Sequence, residues 1–72
     1  MKRFDAEALR DALDAARQAQ GLTWGQLGAK IGVAPATMQR LKRGTRVEVD
    51  GALAMVGWLG RTIESFTRET KG

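Results

Sequence analysis

Apolar residues recur along this chain at the three- and four-residue spacing of helices, and glycines divide the pattern into five short segments. Leu9, Ala12, Leu13 and Ala16 form the first stripe. Asp5 can cap the start of that helix, Glu7 lies in its first turn, where the helix dipole favours an acid, and Gly21 closes it. Thr23-Trp24-Gly25-Gln26 has the form of a capping box, with Thr23 as the cap and Gln26 reaching back. The brief second helix turns Leu27 and Ile31 inward and ends at Gly32. Gly25 and Gly28 each cost it up to about 1 kcal/mol relative to Ala, so tertiary packing has to hold it.

Val33-Ala34-Pro35 opens the third helix, with Pro35 at the first helical position, where its missing N–H costs no hydrogen bond. Met38 and Leu41 are its buried pair, and Gly44 stops it. Thr45 to Val49 reads as a loop. Asp50 can then cap a fourth helix whose core stripe is Ala52, Leu53, Val56 and Leu59, closed by Gly60. Thr62 can cap a last short helix with Ile63 and Phe66 inward, and Glu69 to Gly72 is expected to fray. No strand, linker, repeat or low-complexity segment stands out. The expectation is one all-α domain over 1–72, built from five helices.

Composition narrows the chemistry. With 72 residues there is room for one small domain, which buries only about 60% of the surface its unfolded chain exposes. There is no His and no Cys, and Ser65 is the only serine, so zinc sites, thiol nucleophiles, imidazole bases and serine triads all lack their residues. The eight carboxylates show no EF-hand spacing. No enzyme, metal or cofactor is expected. The absence of cysteine fits a reducing, cytoplasmic setting. The longest weakly polar run, Gly51 to Gly60, is too short to span a bilayer, and Met1-Lys2-Arg3-Phe4 leads into acidic residues rather than the apolar core of a signal peptide.

Charge adds a direction. Twelve Lys and Arg against eight Asp and Glu leave a net +4, unevenly spread. Lys30, Arg40, Lys42, Arg43 and Arg46 follow one another with no acid between them, whereas the first helix carries Asp5, Glu7, Asp11 and Asp14. A local basic stretch on a small domain suits a polyanion such as nucleic acid; the plainer reading is a solvated helix face.

Between Thr23 and Gly44, two short helices joined by a turn of about three residues have the grammar of a helix-turn-helix. The first props the second steeply enough for it to enter a major groove about 12 Å wide. Such a helix needs an apolar face for its own domain and a polar face for base edges. Met38 and Leu41 supply the first; Pro35, Ala36, Gln39, Arg40 and Arg43 lie on the other side. Gln and Arg suit bidentate reading of adenine and guanine. A helical hairpin with an exposed basic helix is the alternative. Gly25-Gln26-Leu27-Gly28 also has the form of a KH-domain loop, but the alternating strands of that fold are missing.

The ordered run Ala16-Arg17, Gly21-Leu22-Thr23, Leu27-Gly28, Ile31-Gly32-Val33-Ala34, Thr37-Met38-Gln39-Arg40-Leu41 and Gly44 resembles the lambda-repressor-like, or XRE, helix-turn-helix family of phage and bacterial regulators. Leu59-Gly60-Arg61-Thr62-Ile63 and Phe66 are similar to its closing helices, so the resemblance runs from about Leu9 to Phe66. It implies sequence-specific binding of double-stranded DNA, most often for transcriptional repression. Ala34 to Arg43 would then be the recognition helix, with Pro35 to Arg43 in the groove. Ala36, Gln39 and Arg40 would approach base edges, and Pro35 and Ala36 could touch a thymine methyl. Thr23, Trp24 and Gln26 would hold phosphate at the start of the propping helix. Lys42 and Arg43 at the end of the recognition helix, and Thr45 and Arg46 just after it, would also grip phosphate.

Gly28 stands where the family usually has Ala, and Lys42 where it usually has a Glu that pairs with the arginine corresponding to Arg17. Asp14, three residues before Arg17, could replace that partner. Trp24 is unusual at a position that is commonly polar, and could instead cover the end of the first helix. Met38 and Met55 read as core filler rather than a flexible partner groove. One short helix carries little sequence information, so a homodimer strengthened on DNA is expected. Met55 and Trp58, on a face beside the fourth helix's core stripe, are its candidate interface; Trp58 packing within one chain is the alternative. A protein-interaction module, such as an antitoxin-like or accessory subunit, is the other functional reading.

Overall fold

The helix ends lie where local hydrogen-bond chemistry requires them. The structure, a computed structural model, describes residues 2–69. Its order is β1 (Lys2–Phe4), α1 (Ala6–Gln20), α2 (Trp24–Ile31), α3 (Pro35–Lys42), α4 (Val49–Trp58), a single 3-10 turn (Ile63–Phe66) and β2 (Thr67–Glu69). Asp5 Oδ1 accepts the Ala8 N–H at 3.0 Å and caps α1. The capping box of α2 is complete: the Gln26 N–H donates to Thr23 Oγ1 at 3.1 Å, and the Thr23 N–H to Gln26 Oε1 at 2.9 Å. Gly32 ends α2 at φ 91°, a left-handed turn that glycine adopts without steric cost.

The chain is mostly helical but not purely so. β1 and β2 pair antiparallel, Lys2 with Glu69, Arg3 with Arg68 and Phe4 with Thr67, joining the two ends of the described chain. Three-residue strands carry no periodicity to detect, and this pair forms because the chain returns: the Asp5 N–H donates to Phe66 O at 2.6 Å. Glu69, expected to fray, lies within β2, while Thr70 to Gly72 fall outside the described residues. Among the described residues the α-helices number four rather than five. The last segment tightens into a 3-10 turn because Ser65 directs both its N–H (3.1 Å) and its hydroxyl (2.7 Å) to Thr62 O.

Leu9, Leu13, Leu27, Met38, Leu41, Ala52, Met55, Val56 and Phe66 form the core. Met55 and Leu53 exchange the places that periodicity assigns them. Met55 is fully buried and cannot serve a pairing surface, whereas Leu53 is 51% exposed. Gly51 sets this register: a Cβ there would lie 3.0 Å from Thr37 Cγ2, so α4 approaches α3 along its smallest edge. Gly51, Ala52, Met55 and Val56 then share the inner face. Trp58 and Leu59 are half-buried against the core. Asp50 does not cap α4; Glu48 holds the cap position and directs its carboxylate to α3, leaving Asp50 in the first turn. No helix among the described residues is long and apolar enough to cross a membrane.

α2 and α3 meet at Gly28, where a Cβ would stand 2.6 Å from Met38 Cγ. An alanine there would not fit unless Met38 moved. Gly25 is exposed, and a Cβ would meet nothing closer than Thr23 Oγ1 at 3.9 Å. Alanine should therefore act in opposite directions at the two positions. Gly25→Ala should stabilise the domain by about 0.5–1 kcal/mol through helix propensity. Gly28→Ala should lose about 1–3 kcal/mol to overpacking, more than propensity returns. Thermal midpoints measured by circular dichroism check this; two shifts of the same sign would contradict the close approach.

Candidate nucleic-acid interface

α3 is built with two faces. Thr37, Met38 and Leu41 are buried, and Pro35, Ala36, Gln39, Arg40 and Lys42 are exposed. Gly32-Val33-Ala34 joins it to α2, and the Gly32 and Val33 N–H groups both donate to Gly28 O, at 2.8 and 3.0 Å. That pair of bonds ends α2 and begins the turn into α3. Ala34 caps α3 with no side-chain bond, so the first turn presents Pro35 and Ala36 without a polar side chain over them. All four candidate base-contact residues are thus on the outer surface of one helix.

Two polar ties hold α3 and its support in place. On one side Thr37 is 3% exposed, and its hydroxyl donates to Glu48 Oε1 at 3.1 Å, linking α3 to the start of α4. Helical arithmetic carries this signal: Thr37 shares the inner stripe with Met38 and Leu41. On the other side each nitrogen of the Arg17 guanidinium makes a hydrogen bond. Its Nε and Nη2 donate to Asp14 Oδ1 at 3.0 and 2.6 Å, and its Nη1 donates to Leu22 O at 3.0 Å. Its carbon also stands 5.2 Å from the centroid of the Trp24 ring. Asp14 is therefore the partner of Arg17, as the spacing suggests. Lys42 is left exposed, with no ion pair among the described residues.

The candidate phosphate contacts separate on inspection. Lys42, Arg43 and Arg46 are all exposed at and beyond the C-terminal end of α3. Thr23 and Gln26 are exposed at the start of α2, and their capping bonds use the Thr23 oxygen and the Gln26 carbonyl. The Thr23 hydroxyl proton and the Gln26 amide NH₂ stay available as donors. The Trp24 indole does not belong with them. It is half-buried, packed on the core and stacked with Arg17, so it closes the end of α1, and only its main-chain N–H is placed at the helix start.

Thr45 is also reassigned. Its hydroxyl and its N–H both donate to Arg40 O, at 2.7 and 3.1 Å, so it finishes the last turn of α3 and has no proton left for an anion. Lys30 donates one ammonium proton to Gln20 Oε1 at 2.9 Å and keeps its other two donors. The surface these residues leave is a basic helix end beside an exposed polar helix face. Comparison with known proteins finds no matching family model, no matching curated protein and no matching solved structure.

Proposed function

We infer that this chain binds double-stranded DNA sequence-specifically, as a helix-turn-helix regulator of the lambda-repressor-like kind in which α2 props α3 into the major groove. The observation that carries this reading is the division of α3 into a buried face of Thr37, Met38 and Leu41 and an exposed face of Pro35, Ala36, Gln39 and Arg40. One helix fills a groove about 12 Å wide. Gln39 reads adenine and Arg40 guanine through paired hydrogen bonds, while Pro35 and Ala36 meet a thymine methyl. Lys42, Arg43 and Arg46 take phosphates on one side, and Thr23, Gln26 and the Trp24 N–H take them on the other. Repression of transcription inside a bacterial or phage-infected cell is the use this activity most often serves.

A few base pairs read by one helix specify too little of a genome, so a second copy bound to a half-site about 34 Å away is part of the reading. Met55 is buried and leaves that docking surface, which we place instead at Val49 and Leu53, 73% and 51% exposed. They open on an apolar groove of about 380 Å³ that Phe4, Val47, Ala52 and Ile63 also line, with Arg46 and Glu48 beside them. The same groove favours the second reading, an antitoxin-like or accessory subunit that holds another protein there and for which DNA is secondary.

Duplex affinity measured against salt separates the two. Four to eight phosphate contacts over a dimer give a slope of log affinity on log salt of roughly −4 to −7, at about −0.9 per phosphate. Arg46→Ala should weaken binding to every sequence alike. Gln39→Ala and Arg40→Ala should each cost about 1–3 kcal/mol on the preferred site and relax one base pair per half-site. A flat salt response, or an unchanged preference in both variants, would overturn the DNA reading.

Pairing has its own variants. Leu53→Glu, at an exposed position, should abolish cooperative binding to paired half-sites while leaving the melting temperature within a few degrees. Trp58→Ala should instead lower the melting temperature, by loss of packing. Full cooperativity in Leu53→Glu would remove Val49 and Leu53 from the interface.

A further inference from the structure

Arg3 and Arg68 stand directly across from each other in the β1–β2 pair. Phe4 packs on the core, so strand alternation puts Arg3 on the opposite face, with Arg68 beside it. Like charges at such a position, about 5 Å apart at Cβ, oppose strand pairing. Strands of three residues have little else to offset that repulsion. Among the described residues neither arginine side chain has a hydrogen bond or an ion pair. Both line a cleft of about 220 Å³, together with Arg46, Gly44 and the first turn of α1, including Asp5 and Glu7. Asp5 already spends Oδ1 on the Ala8 N–H, and three guanidinium groups face two carboxylates.

We propose that this cleft binds a phosphate group, held by Arg3 and Arg68 from the sheet and by Arg46 from the segment after α3. Guanidinium forks match phosphate oxygens in paired hydrogen bonds, and Arg is preferred over Lys where that geometry matters. An anion between Arg3 and Arg68 cancels their repulsion, so occupancy and strand pairing strengthen each other. The purpose of an otherwise costly Arg–Arg pair is then to leave a vacancy of negative charge beside α3. Arg46 sits four residues beyond the end of α3, which makes the DNA backbone flanking the groove the source of the phosphate. That choice of source rests on the DNA reading above. The chemistry of the cleft does not, and a free phosphate compound is the other source it admits.

The test compares the full chain with its Arg3→Gln/Arg68→Gln variant in three measurements. Removing the repulsion should leave the thermal midpoint at or above that of the wild type. Duplex affinity should fall about tenfold at low salt, with the salt slope shallower by about one to two. Inorganic phosphate should shift the arginine Nε–H NMR signals of Arg3, Arg46 and Arg68 in the wild type, and leave Arg46 unmoved in the variant. Unchanged affinity and slope, with no phosphate-induced shift, would overturn the proposal while the DNA reading stood. Phosphate-induced shifts without any duplex binding by the wild type would overturn the DNA reading and keep the cleft, with a free phosphate compound as its ligand. Absence of both would remove both. Should the double variant fail to fold, Arg68→Gln alone and the wild-type phosphate titration give the same decision.

Discussion

The backbone of α2 lies directly against the Met38 side chain at Gly28, and the presentation of α3 depends on that approach. With a Cβ only 2.6 Å from Met38 Cγ, an alanine there would force the Met38 side chain to shift. The contact drives Met38 inward, and its neighbours on the same stripe, Thr37 and Leu41, follow it into the core. The remaining positions of an eight-residue helix have nowhere to go but outward. The polar face of α3 is thus a geometric consequence of how its apolar face is gripped.

Packing alone would let α3 rotate or slide, because Met is flexible and specifies position weakly. The polar ties restrict that freedom. Thr37 to Glu48 pins the helix to the start of α4, and Arg17 gathers Asp14, Leu22 and Trp24 to hold the start of α2. The Thr37–Glu48, Arg17–Asp14 and Arg17–Leu22 contacts are hydrogen bonds with a charged partner, the class that contributes most, and Trp24 adds a cation–π contact. The Arg17 cluster also explains how Lys42 can be positive. Asp14 neutralises the guanidinium locally, so the end of α3 carries only cations from Arg40 to Arg46.

Much of this was legible in the residues because helix ends are written locally. Asp5, the Thr23–Gln26 box, Gly21, Gly32 and Pro35 each act on groups within four residues, and each does what its local chemistry indicates. The Asp14–Arg17 pair follows from the same short range. What escaped depends on distant residues. Leu53 and Met55 differ by two positions on a helix that is apolar all round, so periodicity cannot choose its inner face. Gly51 against Thr37 makes that choice from another helix. The sheet joins chain ends more than sixty residues apart, and the Arg3–Arg68 pair exists only because of it. Thr45 reads equally well as an anion donor or a helix finisher until the Arg40 carbonyl is seen to take both its protons.

If the outer face of α3 is the reading surface, a titration of the isotopically labelled full chain with short mixed-sequence duplex at low salt should map it directly by NMR. The largest amide and side-chain shifts should fall at 23–26 and 35–46, with Gln39 and Arg40 side chains among them, while Leu9, Leu13 and Met55 move little. Shifts confined to the groove around Val49 and Leu53, or none at all at saturating duplex, would contradict the account.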